Sequence, residues 1–117
     1  MSFDKSMLSL FSREALDACE KMRIAARSGD GELAVGAARA LRSAAKMLGF
    51  DSCAALAEKL EKSLSENFEK SSSSLSTIKA LEVISKCAKV PPENIPSAFD
   101  SRKKDIDGLL NSDFTAN

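Results

Sequence analysis

Residues 31–50 read GELAVGAARALRSAAKMLGF, and the placement of alanine and leucine in this stretch decides the fold. At the α-helical period, Ala34, Ala37, Ala38, Leu41, Ala44, Ala45 and Leu48 fall on one side. That side is mostly alanine, so neighbouring helices can approach closely. The opposite side gathers Arg39, Arg42, Ser43 and Lys46, with Val35, Gly36 and Met47 beside them. A solvated helix face usually mixes both signs of charge. This face is basic at its centre, and Glu32 and Glu58 fall towards or beyond its ends. Small residues leave room on it and apolar residues flank it, a combination that suits an acidic, partly apolar partner surface.

Outward from this helix, the chain repeats the helical pattern with short punctuation. A first helix is expected from about Phe3 to Arg27, with Ser12 as a candidate break. Its apolar positions are Leu8, Phe11, Ala15, Cys19, Met22 and Ala26. Gly29 is a left-handed stop and Asp30 a cap for the second helix, which runs from Gly31 to Leu48 and ends at Gly49. A third helix, capped by Asp51 or Ser52, continues to about Lys70 with Leu56, Leu60, Leu64 and Phe68 in one stripe. Lys59, Glu61, Lys62 and Glu66 lie elsewhere on it. The serine run 71–74 reads as a flexible turn. A fourth helix spans about Leu75 to Lys89, with Ile78, Leu81, Ile84 and Ala88 inward. Pro91 and Pro92 end it, since neither donates a backbone hydrogen bond. Ser97 to Asn111 is expected to form one more short helix, capped by Ser97 and weakened by Gly108. The pattern predicts an all-α fold, an antiparallel four-helix bundle with an extra C-terminal helix. Residues 1–90 form the bundle; residues 91–117 form a proline-started segment, short helix or tail.

Composition narrows the function. At 117 residues the chain is one domain, and a 44% hydrophobic content is enough for a core. Basic and acidic residues number 17 each, which argues against nucleic-acid binding. There is no Tyr or Trp for base stacking or an aromatic cage. Most informative is the absence of histidine. It excludes an imidazole base, a His metal ligand and a phosphohistidine. Cys19, Cys53 and Cys87 are far apart, form no CxxC pair and sit in Ala/Leu-rich helical surroundings. They read as small core residues rather than a disulfide framework, a metal knuckle or reactive thiols. No cofactor or metal is expected. No signal peptide or bilayer-length apolar run is visible, so a cytoplasmic setting without membrane contact is expected.

The segment Ala37-Ala38-Arg39-Ala40-Leu41-Arg42-Ser43-Ala44-Ala45-Lys46-Met47-Leu48-Gly49-Phe50 resembles the signature of histidine-containing phosphotransfer (HPt) domains. Leu41, Ala44, Gly49, Phe50 and the later Leu60-Glu61 match the family pattern. Arg42 replaces the family lysine, Ser43 the glycine, and Arg39 the phosphorylated histidine. The resemblance covers about Phe3 to Lys89 in helix order and length. It implies an exposed face on the second helix that meets a response-regulator receiver domain or a histidine kinase. Arg39 cannot carry the phosphoryl group, because its guanidinium stays protonated and is not a nucleophile. The resemblance therefore implies a pseudo-phosphotransfer module for two-component or chemotaxis-like signalling, not an enzyme. Its partner-binding residues would be Arg39, Arg42, Ser43, Lys46, Val35, Gly36 and Met47. Arg39 would aim a fixed charge at the receiver's carboxylate pocket. The alternative is an ordinary exposed helix residue.

Two further readings stay open. Asp105-Ile106-Asp107-Gly108-Leu109-Leu110-Asn111 looks like the receiver-binding peptide at the N-terminus of flagellar motor switch proteins. Ile106, Asp107, Leu109 and Leu110 would then dock a partner groove. Otherwise the helix folds its apolar side onto the bundle. The second open reading concerns the whole chain, as a structural or dimerising bundle, a homodimer without signalling chemistry. An active phosphotransfer protein using Ser43 would need a base that the pattern does not supply. With no imidazole to titrate, the unfolding free energy is expected to stay nearly flat between about pH 6 and 7.5. Chemical denaturation across that window checks this, and a steep slope would reveal a strongly perturbed carboxylate or thiol.

Overall fold

The computed structural model describes residues 4–116. Among them the chain is all-helical, with α1 Lys5–Ser28, α2 Gly31–Met47, α3 Asp51–Glu66, α4 Phe68–Ser72, α5 Leu75–Lys89, α6 Ile95–Ser101 and α7 Lys103–Leu110. A single 3-10 turn, Pro92–Asn94, precedes α6. The long helices α1, α2, α3 and α5 form the bundle, and their short connections make neighbours antiparallel. No helix among the described residues is long and apolar enough to cross a membrane.

The helix boundaries follow from local chemistry. Asp4 opens α1 by accepting from the Ser6 N–H at 2.9 Å; Phe3, the expected start, lies outside the described residues. Gly29 ends α1 at φ 76°, a left-handed conformation that glycine adopts without steric cost. Asp30 then caps α2 by accepting from the Leu33 N–H at 3.0 Å. Gly49 turns the chain at φ 73°. The extended Val90, forced by the proline that follows it, ends α5.

Several expectations are corrected. α1 runs unbroken through Ser12, whose hydroxyl donates to the Ala88 carbonyl at 2.6 Å and ties α1 to α5. α3 starts at Asp51 with no side-chain cap, and it ends at Glu66 rather than Lys70. Asn67 breaks the helix and caps α4 by accepting from the Lys70 N–H. The serine run is not a loose turn. Ser71 and Ser74 are fully buried, Ser71 donates to the Ser63 carbonyl at 2.9 Å, and Ser74 caps α5 through the Thr77 N–H at 3.1 Å. Ser97 lies inside α6, which starts at Ile95 with a proline in its first turn. The expected single C-terminal helix is two, separated at Arg102.

One core joins all of this. Phe11 meets Phe50 edge-on with centroids 5.0 Å apart, and Phe99 closes the group at 6.0 Å from Phe11 and 5.4 Å from Phe50. Ile95, Phe99, Ile106, Leu109 and Phe114 enter the same core, so the segment after Pro91 packs on the bundle. The Lys59 ammonium donates to the Leu110 and Ser112 carbonyls, the latter at 2.7 Å, and lies 5.2 Å from the Phe114 ring. A cation there also suits the carbonyl end of α7. All three cysteines are free and buried, and burial pushes the Cys87 thiol up to about 11 and raises Cys19 and Cys53 as well. They are packing residues, not thiolates at neutral pH. Phe99→Ala is expected to lower the unfolding free energy by about 3–5 kcal/mol in urea titrations, the usual cost of emptying an aromatic site in a core. A loss below about 1 kcal/mol would mean that α6 docks without this ring.

Candidate functional site

The inward side of α2 is as its sequence reads. Ala34, Ala37, Ala38, Leu41, Ala44, Ala45 and Leu48 are all buried. That burial fixes the rotation of the helix, and the rotation carries Arg39, Ser43, Lys46, Gly36 and Met47 outward to exposed positions. Met47 is 77% exposed. Arg42 and Val35 lie at the margin and are half-buried, Val35 packed against the core. A Cβ added at Gly36 would meet nothing within 4 Å, so intrachain packing does not demand glycine there. The seven residues singled out on this helix thus share one outward band.

The charge on that band differs from its sequence reading in one respect. Glu61 reaches across from α3 and pairs with two arginines. The Arg39 Nε donates to Glu61 Oε2 at 2.9 Å, and the Arg42 Nη2 lies 3.2 Å from Oε1. The second contact is off the donor direction, leaving buried Oε1 with an ion-pair neighbour but no hydrogen bond. The Glu61 side chain is 15% exposed and Arg39 61%, so the carboxylate is held within the protein while one guanidinium faces water. Glu61 was legible as a residue off the leucine stripe and as half of the Leu60-Glu61 match, but not as a partner of Arg39 and Arg42. Its partnership follows from register: the short turn at Gly49-Phe50 brings residues whose numbers sum to roughly 100 side by side on α2 and α3.

The other margin of the band is acidic. A groove of about 580 Å³ between α1 and α2 has Glu14, Asp17 and Glu32 on its walls, with Gly36, Ser43 and Met47 on the α2 side. Lys21 offsets Asp17 through an i,i+4 pair at 3.0 Å. The outward face of α2 is therefore bipolar, basic toward α3 and acidic toward α1. Ser43 is exposed on this band. Among the described residues no group of three or more Cys, Asp or Glu converges to hold a metal ion.

The C-terminal candidates are placed differently. Ile106 is fully buried and Leu109 nearly so, against the bundle, and Leu110 is half-buried. Asp107 is exposed, and its carbonyl accepts from the Asn111 amide at 3.0 Å. Of the two readings of this element, the chain adopts the intramolecular one. Its apolar side is spent on α3 and α5 and leaves no free face for a partner groove.

Comparison with protein-family models, with curated proteins and with solved structures finds no match, so the reading of the site rests on its own residues. Glu61→Gln removes the carboxylate charge and leaves Arg39 and Arg42 side by side. A loss of about 1 kcal/mol at low salt is expected, shrinking as salt screens the two cations. Denaturation at low and high ionic strength reads it. Unchanged stability at low salt would mean that the paired arginines hold nothing.

Proposed function

We propose that the outward band of α2 is a protein-docking surface, and that the chain is a non-phosphorylatable, HPt-like module which binds a response-regulator receiver domain or a histidine kinase. One observation carries the reading: Arg39 stands on the exposed crest of α2, held at one edge by Glu61 and open to water over the rest. Two arginines share a single carboxylate, so a positive charge is left over beside Lys46. An incoming carboxylate pocket finds a guanidinium already oriented toward it, at little cost in side-chain entropy. Open space at Gly36 and the small Ala40 and Ser43 let a partner backbone come close, and Met47 offers a flexible apolar contact. The acidic margin toward α1 favours a partner whose contact surface is itself bipolar. No nucleophile fits the phosphoacceptor position, so the module docks without accepting a phosphoryl group.

A second reading is favoured by the same ion pairs. Arg39 and Arg42 clamp α3 against α2, a structural task that a helical bundle without signalling chemistry would also use. The two readings separate in one experiment. Receiver domains from the source organism are titrated against the chain, with Arg39→Gln and Arg39→Glu compared to the unaltered protein and circular dichroism as the folding control. Arg39→Glu sets a second carboxylate beside Glu61, so Arg39→Gln guards against a purely structural loss. Docking predicts at least about tenfold weaker binding for Arg39→Gln and a greater loss for Arg39→Glu, with a reduced salt dependence of association. Incubation with a phosphorylated receiver should transfer no acid-labile label to the chain. Binding that ignores both substitutions, or stable label on the chain, refutes the docking module as described.

A further inference from the structure

Two apolar positions that the helical period assigns to the core are exposed instead. They are Ala26 on α1 and Ile78 on α5, the latter 53% exposed. Both line one groove of about 480 Å³ between the C-terminal half of α1 and the N-terminal half of α5, floored by Met22, Leu64 and Leu81. Leu75, one turn before Ile78, is 54% exposed as well. The apolar pattern of these two helices thus runs wider than the rest of the chain covers. This seam is formed by α1 and α5, not by the α2 crest.

Its charged edge is predominantly basic: Arg23 and Arg27 line the α1 side and Glu82 the α5 side. On the α1 side Arg23 contacts only a neutral hydroxyl, donating to Ser85 Oγ at 3.1 Å. Arg27 has only Glu20, 3.8 Å away, and is 69% exposed. On the α5 side the single carboxylate, Glu82, is already taken by Lys86 at 2.9 Å, and the Lys86 ammonium holds it below the usual carboxylate range. Arg23 has no carboxylate partner, and the exposed Arg27 has one only at 3.8 Å, so the guanidiniums are the charges of the groove most open to a further carboxylate. A twofold contact between copies would bring four guanidiniums to one seam against two Glu82 carboxylates that Lys86 already holds, so charge disfavours a second copy as the occupant.

We infer that the α1/α5 seam is a second docking site, separate from α2, which takes an amphipathic helix from a partner protein: apolar residues three and four apart against Ala26, Ile78 and Leu81, and carboxylates along the edge that meets Arg23 and Arg27. A third helix lying in the groove of two others buries such a stripe in the manner of helix-in-groove recognition. Acidic residues on its margin supply the carboxylate that Arg23 lacks and a closer one for Arg27.

The probe is a fluorescein-labelled synthetic peptide of roughly 15 residues, long enough for a marginal helix, with leucines at helical spacing and glutamates at the margins. A second peptide carries lysines in place of the glutamates. Anisotropy titrations of the full chain are expected to show saturable binding of the glutamate peptide, at least about tenfold tighter than the lysine peptide. Ile78→Ser, at an exposed position where the fold does not need the side chain, should weaken it about tenfold. Arg23→Gln with Arg27→Gln should abolish the preference between the two peptides, and Arg39→Gln should change nothing. Circular dichroism confirms that each variant is folded. Absence of saturable binding, equal binding of the two peptides, or binding indifferent to Ile78→Ser overturns the inference. So does a concentration-dependent dimer in sedimentation that Ile78→Ser dissolves, which would make the occupant a second copy.

Discussion

Everything in this molecule depends on how closely α2 can lie against its neighbours. Its inward side holds five alanines and two leucines through Leu48, all buried, and it packs between α1 and α3. Interaxial distance scales with the side chains at the contact, and alanine permits a short one. The consequence is geometric before it is energetic. Few large side chains stand between the backbones, so the long side chains at the edge of the contact reach from one helix to the next. Arg39 and Arg42 reach Glu61 for this reason. A leucine-filled seam would hold α3 further off and leave Glu61 in water.

That same closeness shapes the charge a partner meets. An exposed ion pair contributes only about 0–1 kcal/mol, since water screens it and the side chains lose freedom in forming it. Breaking a mostly buried pair costs more, because the carboxylate is left uncompensated. Glu61 belongs to both regimes at once. Arg42, 28% exposed, stays beside the carboxylate as an ion-pair neighbour, while Arg39, 61% exposed, supplies its hydrogen bond at Oε2. In the docking proposed above, a partner carboxylate drawing on Arg39 would leave Glu61 with the Arg42 charge but without that hydrogen bond.

The sequence displays which residues are apolar, and at what period, but not what lies beside them. Where a short connection fixes the neighbour, the reading holds: the α2 faces, the stops at Gly29 and Gly49, the cap at Asp30 and the proline end of α5 are all local. Ala26 and Ile78 fail because their stripes are continuous with the core while the groove above them has no intrachain cover. Ser71 and Ser74 mislead in the opposite sense. Four serines in a row look solvated, yet two of them are buried, the Ser71 hydroxyl donating to α3 and the Ser74 hydroxyl accepting from α5. Glu61 is invisible to periodicity, since a charge off the apolar stripe is read as solvated until the register between two helices is known. The candidate band on α2 was legible as a set of residues, with Glu32 towards its end, but its bipolar charge was not, because two of the three acids, Glu14 and Asp17, come from α1 and the counter-ion from α3.

The C-terminal segment shows how one buried-edge cation decides between two readings of a sequence. Ile106, Leu109 and Leu110 form an apolar side that either a partner or the bundle could take. Hydrophobic burial alone does not choose, since it rewards any apolar surface equally. Lys59 makes the choice. Its ammonium sits at the carbonyl end of α7, where helix carbonyls lack partners, and accepting it satisfies Leu110 and Ser112 together. Phe114 then covers the cation from the far side, and Ser112 bonds the Ser76 hydroxyl at 3.0 Å. A partner groove would have to replace this set of directional contacts as well as the apolar area. The intramolecular state wins on the polar groups that finish the helix, and the chain keeps its free apolar surface on α1 and α5.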